Sequence, residues 1–205
     1  MKKQIIQFGI MRSGSTLVYN ILVDLFPEYS IIKTHKYPGK LKTILNLPVV
    51  CTYRDPLAII CSSIKTYKQK PSFEVINQHI KRLDNNGFND FIKLENSYKN
   101  KINLQYEKFF NDMDYIFDEL QKFFQIKIKQ DKRIELKNKF SIAKVKEKIR
   151  DMKSFEQYDS KTQYHGLHIS DTDGAVDSYL QFFNEKDLDY LRIEFKEFRN
   201  KYLYK

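Results

Sequence analysis

Residues that build linkers and disulfide frameworks are scarce in this chain. Its 205 residues include six glycines, five prolines and two cysteines, and tryptophan is absent. With so little glycine and proline, and no repeated or Ser/Pro-rich block, we expect no linker and a single domain over residues 1–205. Cys51 and Cys61 lie in apolar segments, which argues against a disulfide framework and favours a reducing, cytoplasmic location.

Long apolar runs are missing as well. No stretch approaches the ~20 apolar residues that cross a bilayer, so we expect no transmembrane segment. Residues 1–4 lead directly into an apolar strand, which leaves no room for the apolar core of a signal peptide. Both observations agree with a cytoplasmic location.

Positive charge, in contrast, is plentiful. Lys and Arg number 36 against 26 Asp and Glu, which gives a formal net charge of +10. This excess implies affinity for anions without naming them, and the lysines are spread as on ordinary solvated helices. The sequence has no RNP, zinc-finger or helix-turn-helix signature, so nucleic acid is not an expected partner. A non-catalytic anion- or nucleotide-binding protein is kept as an alternative.

The first half of the chain alternates strands with helices. The predicted elements are strands at 4–9, 30–34 and 48–53 and helices at 15–26 and 56–67. Asp55 is a good N-cap and Pro56 occupies the first helical position, so the start of the last helix is well marked. This alternation predicts an α/β fold of three layers, α/β/α, around a mostly parallel sheet.

The second half is rich in predicted helix. The elements are helices at 73–84 and 88–99, a strand at 102–106, and amphipathic helices at 113–124 and 188–202. The first two helices are separated at Asn85–Gly87, and His79 is expected on the surface of its helix. The polar segment 159–183 is the best candidate for a functional loop.

A small-residue loop joins the first strand to the first helix. Gly9 and Gly14 have the spacing of a Walker A loop, and Thr16 matches its terminal hydroxyl. Such a loop directs backbone N–H groups and the positive helix end at one point, which suits a phosphate. The lysine that a triphosphate-binding loop needs is replaced by Ser15, and the nearby cation is Arg12. A nucleotide kinase or triphosphatase is therefore an alternative rather than the first choice.

Other polar residues follow the next strands. Lys33 and His35 end the second strand, Arg54 ends the third with Ser62 eight residues beyond it, and Tyr106 ends the fourth. In an open parallel sheet, ligands bind at the carboxyl ends of the strands. We therefore expect these side chains and the small-residue loop to form one site.

In this order, the motifs resemble those of sulfotransferases that use 3′-phosphoadenosine 5′-phosphosulfate. Arg12–Thr16 is similar to that family's Lys/Arg-Ser-Gly-Thr-Thr loop. Lys33–Pro38 is similar to its Lys-Thr-His-Leu-Pro segment, with one residue inserted before the proline. Arg54 and Ser62 have the spacing of its 3′-phosphate pair, and Tyr106 with the next glutamate resembles its adenine-side pair. The resemblance runs in order through residues 5–107.

The resemblance implies an enzyme that transfers a sulfuryl group from this donor to a hydroxyl or amine, without a metal. His35 would be the general base, and Arg12 and Lys33 would stabilise the leaving group, in a loose in-line displacement like phosphoryl transfer. The implied donor-binding residues are Arg12, Ser13, Gly14, Ser15, Thr16, Arg54, Ser62 and Tyr106.

The chain also departs from the family pattern. The tryptophan that follows the loop in cytosolic animal members is Leu17, and the late Arg-Lys-Gly segment that clamps the 3′-phosphate is absent. Residues 161–174 either replace this clamp or form a surface loop. If these residues replace the clamp, the candidates that donate to the 3′-phosphate are Lys161, His165 and His168. The residues expected to contact the sulfuryl donor are His168, Ser170 and Gly174.

The acceptor is less well specified by the sequence. Helices within 73–99 and the loop 159–183 are expected to form the walls of its pocket, as equivalent insertions do in the family. Aromatic side chains there suit sugar or aromatic faces, but core packing explains them equally well. A small molecule, a carbohydrate and a lipid all stay open as acceptors, and the oligomeric state is unknown.

Overall fold

A parallel β-sheet forms the centre of the protein. The computed structural model describes residues 2–37, 46–169 and 174–204. Within them, the strands are β1 Gln4–Gly9, β2 Ser30–Thr34, β3 Val49–Tyr53 and β4 Lys101–Gln105. They pair in the order β2-β1-β3-β4, and every pairing is parallel. The predicted parallel sheet is therefore confirmed.

Helices account for most of the remaining described residues. They are α1 Ser15–Leu25, α2 Pro56–Thr66, α3 Phe73–Leu83, α4 Asn89–Ser97, α5 Tyr106–Asn111, α6 Asp114–Phe124, α7 Gln130–Lys139, α8 Ile142–Ile149, α9 Glu185–Glu194 and α10 Lys196–Tyr202. A short irregular turn, Asp84–Phe88, joins α3 to α4. Across the described ranges, none of these helices has the length and apolar character to span a membrane.

The two faces of the sheet carry separate hydrophobic clusters. Successive strand side chains point to opposite faces, so Ile6 and Cys51 pack with α2, α3, α4, α9 and α10. Ile5 and Val50 pack on the other face with α1, α5, α6 and α7. Both faces are thus covered by helices, which confirms the three-layer α/β/α architecture.

The strand order also positions the ligand-binding crevice. From β1 the chain crosses to β2 on one side and then returns to β3 on the other side. Connections that leave adjacent strands in opposite directions open a crevice at their carboxyl ends. The loop from Ile10 to Gly14 lies at this point, directly after β1.

Two of the differences between the predicted and the observed elements have a clear physical cause. Tyr106 begins α5 instead of ending β4, and the Glu107 carboxylate in this first helical turn accepts a hydrogen bond from the backbone N–H of Asp55 at 2.8 Å. The predicted final helix is divided at Phe195, whose backbone leaves the helical region (φ −106°, ψ 16°). The Phe195 ring packs edge-on against Phe88, 5.4 Å between centroids.

The expectation that His79 lies on a helix surface is wrong. The residue is buried, and its ring nitrogens hydrogen-bond to Ser63 Oγ at 2.8 Å and to Gln69 Oε1 at 2.7 Å. These contacts satisfy both nitrogens, as a buried polar group requires. His79 therefore ties α3 to α2 and to the segment that follows α2.

Replacement of Asp55 by alanine should lower the free energy of unfolding by about 3 kcal/mol. One Asp55 oxygen accepts from the Leu57 N–H at 3.0 Å and caps α2, and the other lies 3.2 Å from Arg199 Nη2. The change removes the cap and leaves the guanidinium unpaired. Urea unfolding measures the loss.

The matched control is Asn184→Ala, which removes the exposed N-cap of α9 without breaking an ion pair. This variant should lose about 1 kcal/mol. Equal losses in the two variants would show that the Asp55–Arg199 pair adds nothing to stability.

Candidate functional site

The loop after β1 has the backbone of an anion cradle. Arg12 (φ 58°) and Gly14 (φ 74°) both adopt left-handed conformations. Gly14 is the N-terminal cap of α1 and provides no side-chain cap, so the first N–H groups of α1 are open to a ligand. A Cβ on Gly14 would lie 2.7 Å from the Phe109 ring. Glycine is therefore required here both by the backbone and by packing.

Ser13 holds this loop in place. Its side chain is fully buried, and the hydroxyl donates to the Ile10 carbonyl at 2.6 Å and lies 2.8 Å from Thr52 Oγ1. These contacts fasten the loop to the end of β3. Its backbone N–H also donates to the Ile10 carbonyl, at 3.3 Å, so Ser13 shapes the loop and leaves no free donor for an anion.

Arg12 and Ser62 meet across 50 residues of sequence. The Arg12 Nε–H donates to Ser62 Oγ at 2.8 Å. The hydroxyl of Ser62 then still has its own proton to donate. The structure thus brings Ser62 to the arginine of the loop, whereas its spacing in the sequence predicts a pairing with Arg54.

Arg54 is nearly inaccessible to solvent, at 2% exposure. Its Nη2 donates to the carbonyls of Gly174 and Ala175 at 2.9 and 3.0 Å, and its guanidinium lies 4.0 Å from the centre of the Tyr106 ring. Tyr106 Oη also donates to the Gly174 carbonyl, at 2.9 Å. The Arg54 Nε has no hydrogen-bond partner among the described residues, so one buried donor is unsatisfied.

Arg12, Lys33 and Arg54 together form a cation cluster beside the cradle. Lys33 Nζ donates to Thr16 Oγ1 at 2.7 Å. Burial, followed by the charge of Arg54, lowers the pKa of Arg12 to about 10, and burial lowers the pKa of Lys33 to about 8. Within the described lining of the cavity there is no carboxylate. An anion bound here would relieve the unbalanced charge.

His35 is oriented by the end of β1. Its Nδ1 lies 2.5 Å from the Gly9 carbonyl oxygen, and because a carbonyl only accepts, Nδ1 bears the proton. Burial lowers the pKa of His35, and the charges of Lys33 and Lys36 act in the same direction against the hydrogen bond to Gly9. A neutral ring with a free Nε2 is the form that can accept a proton.

The turn between α3 and α4 supports both His35 and the loop. Gly87 has φ 104°, and a Cβ there would lie 2.9 Å from the Gly9 carbonyl oxygen and 3.3 Å from the His35 carbonyl oxygen. The Asn86 carbonyl accepts from the Met11 N–H at 3.0 Å. This glycine therefore permits a close approach of three backbone segments at the site.

The segment after α8 folds over α1 toward this site. Asn20 Nδ2 donates to the Thr162 carbonyl at 2.7 Å, and Tyr164 is buried against α8. Gly174 and His165 line the cavity, but Lys161 is exposed outside it. Part of the predicted functional loop is thus packed over the site, and Ser170 lies outside the described residues.

Two histidines of this segment face the cation cluster. His165 and His168 lie 5.1 Å apart between ring centroids. Burial lowers the pKa of His165 to about 4 and that of His168 to about 3. His165 Nδ1 accepts from the Leu167 N–H at 3.2 Å, so its neutral ring has the proton on Nε2. His168 Nδ1 is buried and lacks a partner among the described residues.

These groups line one cavity of about 590 Å³, a volume typical of small-molecule sites. Sequence reasoning missed much of its wall. One missed part is apolar and comes from α5, the start of α6, the end of α7 and α8, namely Phe109, Phe110, Met113, Phe140, Ile142 and Val145. The other lies at the cavity mouth and consists of Tyr67, Arg82 and Phe155. Of the range 73–99, Arg82 is the residue that lines the described cavity. Aromatic residues at helical spacing look like core residues in a sequence, so no local signal marks the apolar wall.

Comparison with known proteins identifies the fold. No family model matches the sequence, and no curated protein matches it either. Among solved structures, the chain is similar to mouse sulfotransferase SULT7A1 complexed with PAP, with a TM-score of 0.65 and 15% identity. The match covers 95% of this chain and 84% of the mouse chain. The protein therefore has the sulfotransferase fold, as the motif order implied.

The depressed pKa of His165 should make stability depend on pH. Because its pKa falls from 6.5 unfolded to about 4 folded, the unfolded chain binds more protons between these values. Stability then decreases as the pH falls from 7 to 4. His165→Gln should remove about 1–2 kcal/mol of that decrease, after allowance for solvent screening. Urea unfolding at pH 7, 6 and 5 gives the two slopes, and identical slopes would contradict the assignment.

Proposed function

We propose that the protein is a sulfotransferase that moves a sulfuryl group from 3′-phosphoadenosine 5′-phosphosulfate to a hydroxyl or amine. The observation that carries the proposal is the cation cluster at the N-terminus of α1, with the neutral ring of His35 at the end of the adjacent strand. The solved neighbour with the same fold is a sulfotransferase complexed with PAP. The cation cluster, the N-terminus of α1 and His35 all lie along the crevice at the carboxyl ends of the strands, where proteins of this fold class bind ligands.

The 5′-phosphosulfate of the donor fits the cradle. In our proposal the backbone N–H groups of Gly14–Thr16 and the free guanidinium nitrogens of Arg12 hold its oxygens. Lys33, already 2.7 Å from Thr16 Oγ1, reaches the bridging oxygen that becomes the leaving group. Helix N-termini and charged donors are the usual ligands of such groups.

The 3′-phosphate would lie on the β3 side of the crevice. Ser62 has a hydroxyl proton to donate, and the unsatisfied Nε of Arg54 points to a missing acceptor. Tyr106 and Gly174 form the adjoining surface on the adenosine side. We assign His168, whose Nδ1 has no partner among the described residues, and Ser170 to the same donor, in place of the absent clamp.

His35 would take the proton in the transfer step. Its free Nε2 accepts the proton of the acceptor hydroxyl or amine as the acceptor atom bonds to sulfur. The bond from sulfur to the 5′-phosphate oxygen breaks in line with this attack. Arg12 and Lys33 neutralise the charge that grows on the departing bisphosphate, as cations do in phosphoryl transfer.

Calorimetry with 3′,5′-bisphosphoadenosine and with AMP tests donor recognition. The wild type should bind the bisphosphate at least tenfold more tightly, because charge-assisted contacts to the 3′-phosphate are strong. Ser62→Ala should reduce that preference roughly fivefold, because AMP lacks the phosphate that the Ser62 hydroxyl is proposed to contact. A wild type that binds ATP as tightly as the bisphosphate would contradict the proposal.

His35→Ala should abolish transfer without weakening bisphosphate binding. Loss of a general base reduces rates by about 10²–10⁴-fold. In the wild type, transfer should fall toward acidic pH with an apparent pKa below 6.5, since His35 acts as the neutral ring and its pKa is lowered. The assay follows bisphosphate release with a phenol, an alkyl alcohol and an alkylamine as acceptor probes. Unchanged turnover in the variant would remove His35 from the reaction.

Gly87→Ala should slow transfer by displacing His35. The new methyl group would lie 2.9 Å from the Gly9 carbonyl oxygen, and the backbone of an alanine is strained at φ 104°. We expect kcat to fall about tenfold or more, because small misplacements of reacting groups are costly. Circular dichroism and bisphosphate affinity monitor the fold. A normal kcat with a normal NMR titration of His35 would show that the turn does not position the base.

A further inference from the structure

One cation of the cavity is left over from the donor site. Arg82, in the last turn of α3, lines the cavity at its mouth and is solvent-exposed. Its guanidinium lies 4.2 Å from the centre of the Tyr67 ring, and its Nη2 donates to the Tyr67 hydroxyl. No carboxylate in the described parts of the chain forms an ion pair with it. Arg82 is therefore held in a fixed direction by an aromatic ring and has donors to spare.

The other lining cations already have assignments. Arg12, Lys33 and Arg54 serve the two phosphate ends of the donor in the proposed function. Lys137 forms an ion pair with Asp114 at 2.6 Å. Arg82 is thus the lining cation with neither a described carboxylate partner nor a role toward the donor.

Arg82 and His35 line the same cavity and are connected through a short backbone turn. Asn86 Nδ2 donates to the Arg82 carbonyl at 2.7 Å. The next residue, Gly87, packs against the backbone of His35. One short turn therefore joins the backbone of the arginine to the backbone that holds the proton acceptor.

Aromatic faces continue from Arg82 across the mouth. The rings of Tyr67 and Phe155 stack with centroids 5.9 Å apart, and Phe155 lies 4.8 Å from the His165 ring. Tyr67 and Phe155 are 37% and 38% exposed. An arginine bordered by accessible rings is a common arrangement for binding an anion attached to a flat or cyclic body.

We propose that Arg82 recognises an anionic group on the acceptor, so that the acceptor is a hydroxyl or amine compound that also bears a carboxylate or a similar anion. This inference rests on the proposed function. Arg82 binds the anion through its guanidinium fork, and the rings of Tyr67 and Phe155 support the body of the molecule. The acceptor hydroxyl or amine then points inward to His35.

Two phenols that differ in charge test this inference. The probes are 3-(4-hydroxyphenyl)propionate and its neutral methylamide, assayed for transfer and, by calorimetry, for binding to the bisphosphate-loaded protein. The wild type should favour the carboxylate by roughly tenfold in kcat/KM, mainly through KM. Arg82→Gln should remove this preference and leave the methylamide unaffected. Lys81→Gln is the matched control, because Lys81 is an exposed neighbour on α3 that does not line the described cavity.

Each other outcome has a definite meaning. A wild type that does not prefer the carboxylate in transfer or in binding overturns the inference, as does an equal effect of Arg82→Gln on both probes. If Arg82→Gln instead weakens the bisphosphate as much as it weakens the carboxylate, Arg82 belongs to the donor and the inference is wrong. Failure of the wild type to bind the bisphosphate at all would contradict the proposed function, which is a separate result.

Discussion

Positive charge without a matching carboxylate is the constraint on which this site depends. Arg12, Lys33 and Arg54 lie where three parallel strands end, and burial lowers the pKa values of the first two. A charge removed from water needs compensating partners. Backbone carbonyls supply part of the compensation to Arg54, and a bound polyanion would supply the remainder. A ligand of this kind should also stabilise the folded state by mass action.

The fold was readable from the sequence because its signals are local. Asp55 followed by Pro56 marks the start of α2 through an N-cap and a preset φ angle, and both are seen. The alternation of apolar strands with amphipathic helices sufficed for the parallel three-layer architecture. The small-residue loop after β1 was also recognisable, because Gly9 and Gly14 have the spacing of a phosphate-binding loop between a strand and a helix.

The rest of the site depends on contacts between distant residues. Arg12 meets Ser62 across 50 residues, and nothing in the local sequence of either one states that pairing. The apolar wall was missed for the same reason, since Phe140, at the end of α7, and Val145, in α8, have the periodicity of core residues. Burial of His79 likewise follows from how α3 packs on α2. Tertiary packing decided these cases over local preference.

The Gly9 carbonyl joins two parts of the site that sequence motifs treat as separate. Gly9 ends β1 and begins the cradle, and its carbonyl oxygen also accepts a hydrogen bond from the Nδ1–H of His35. The cradle and the His35 ring are therefore tied to the same residue. The position of the proposed base relative to the proposed donor site is set when the chain folds, which would lower the entropy lost when both reactants bind.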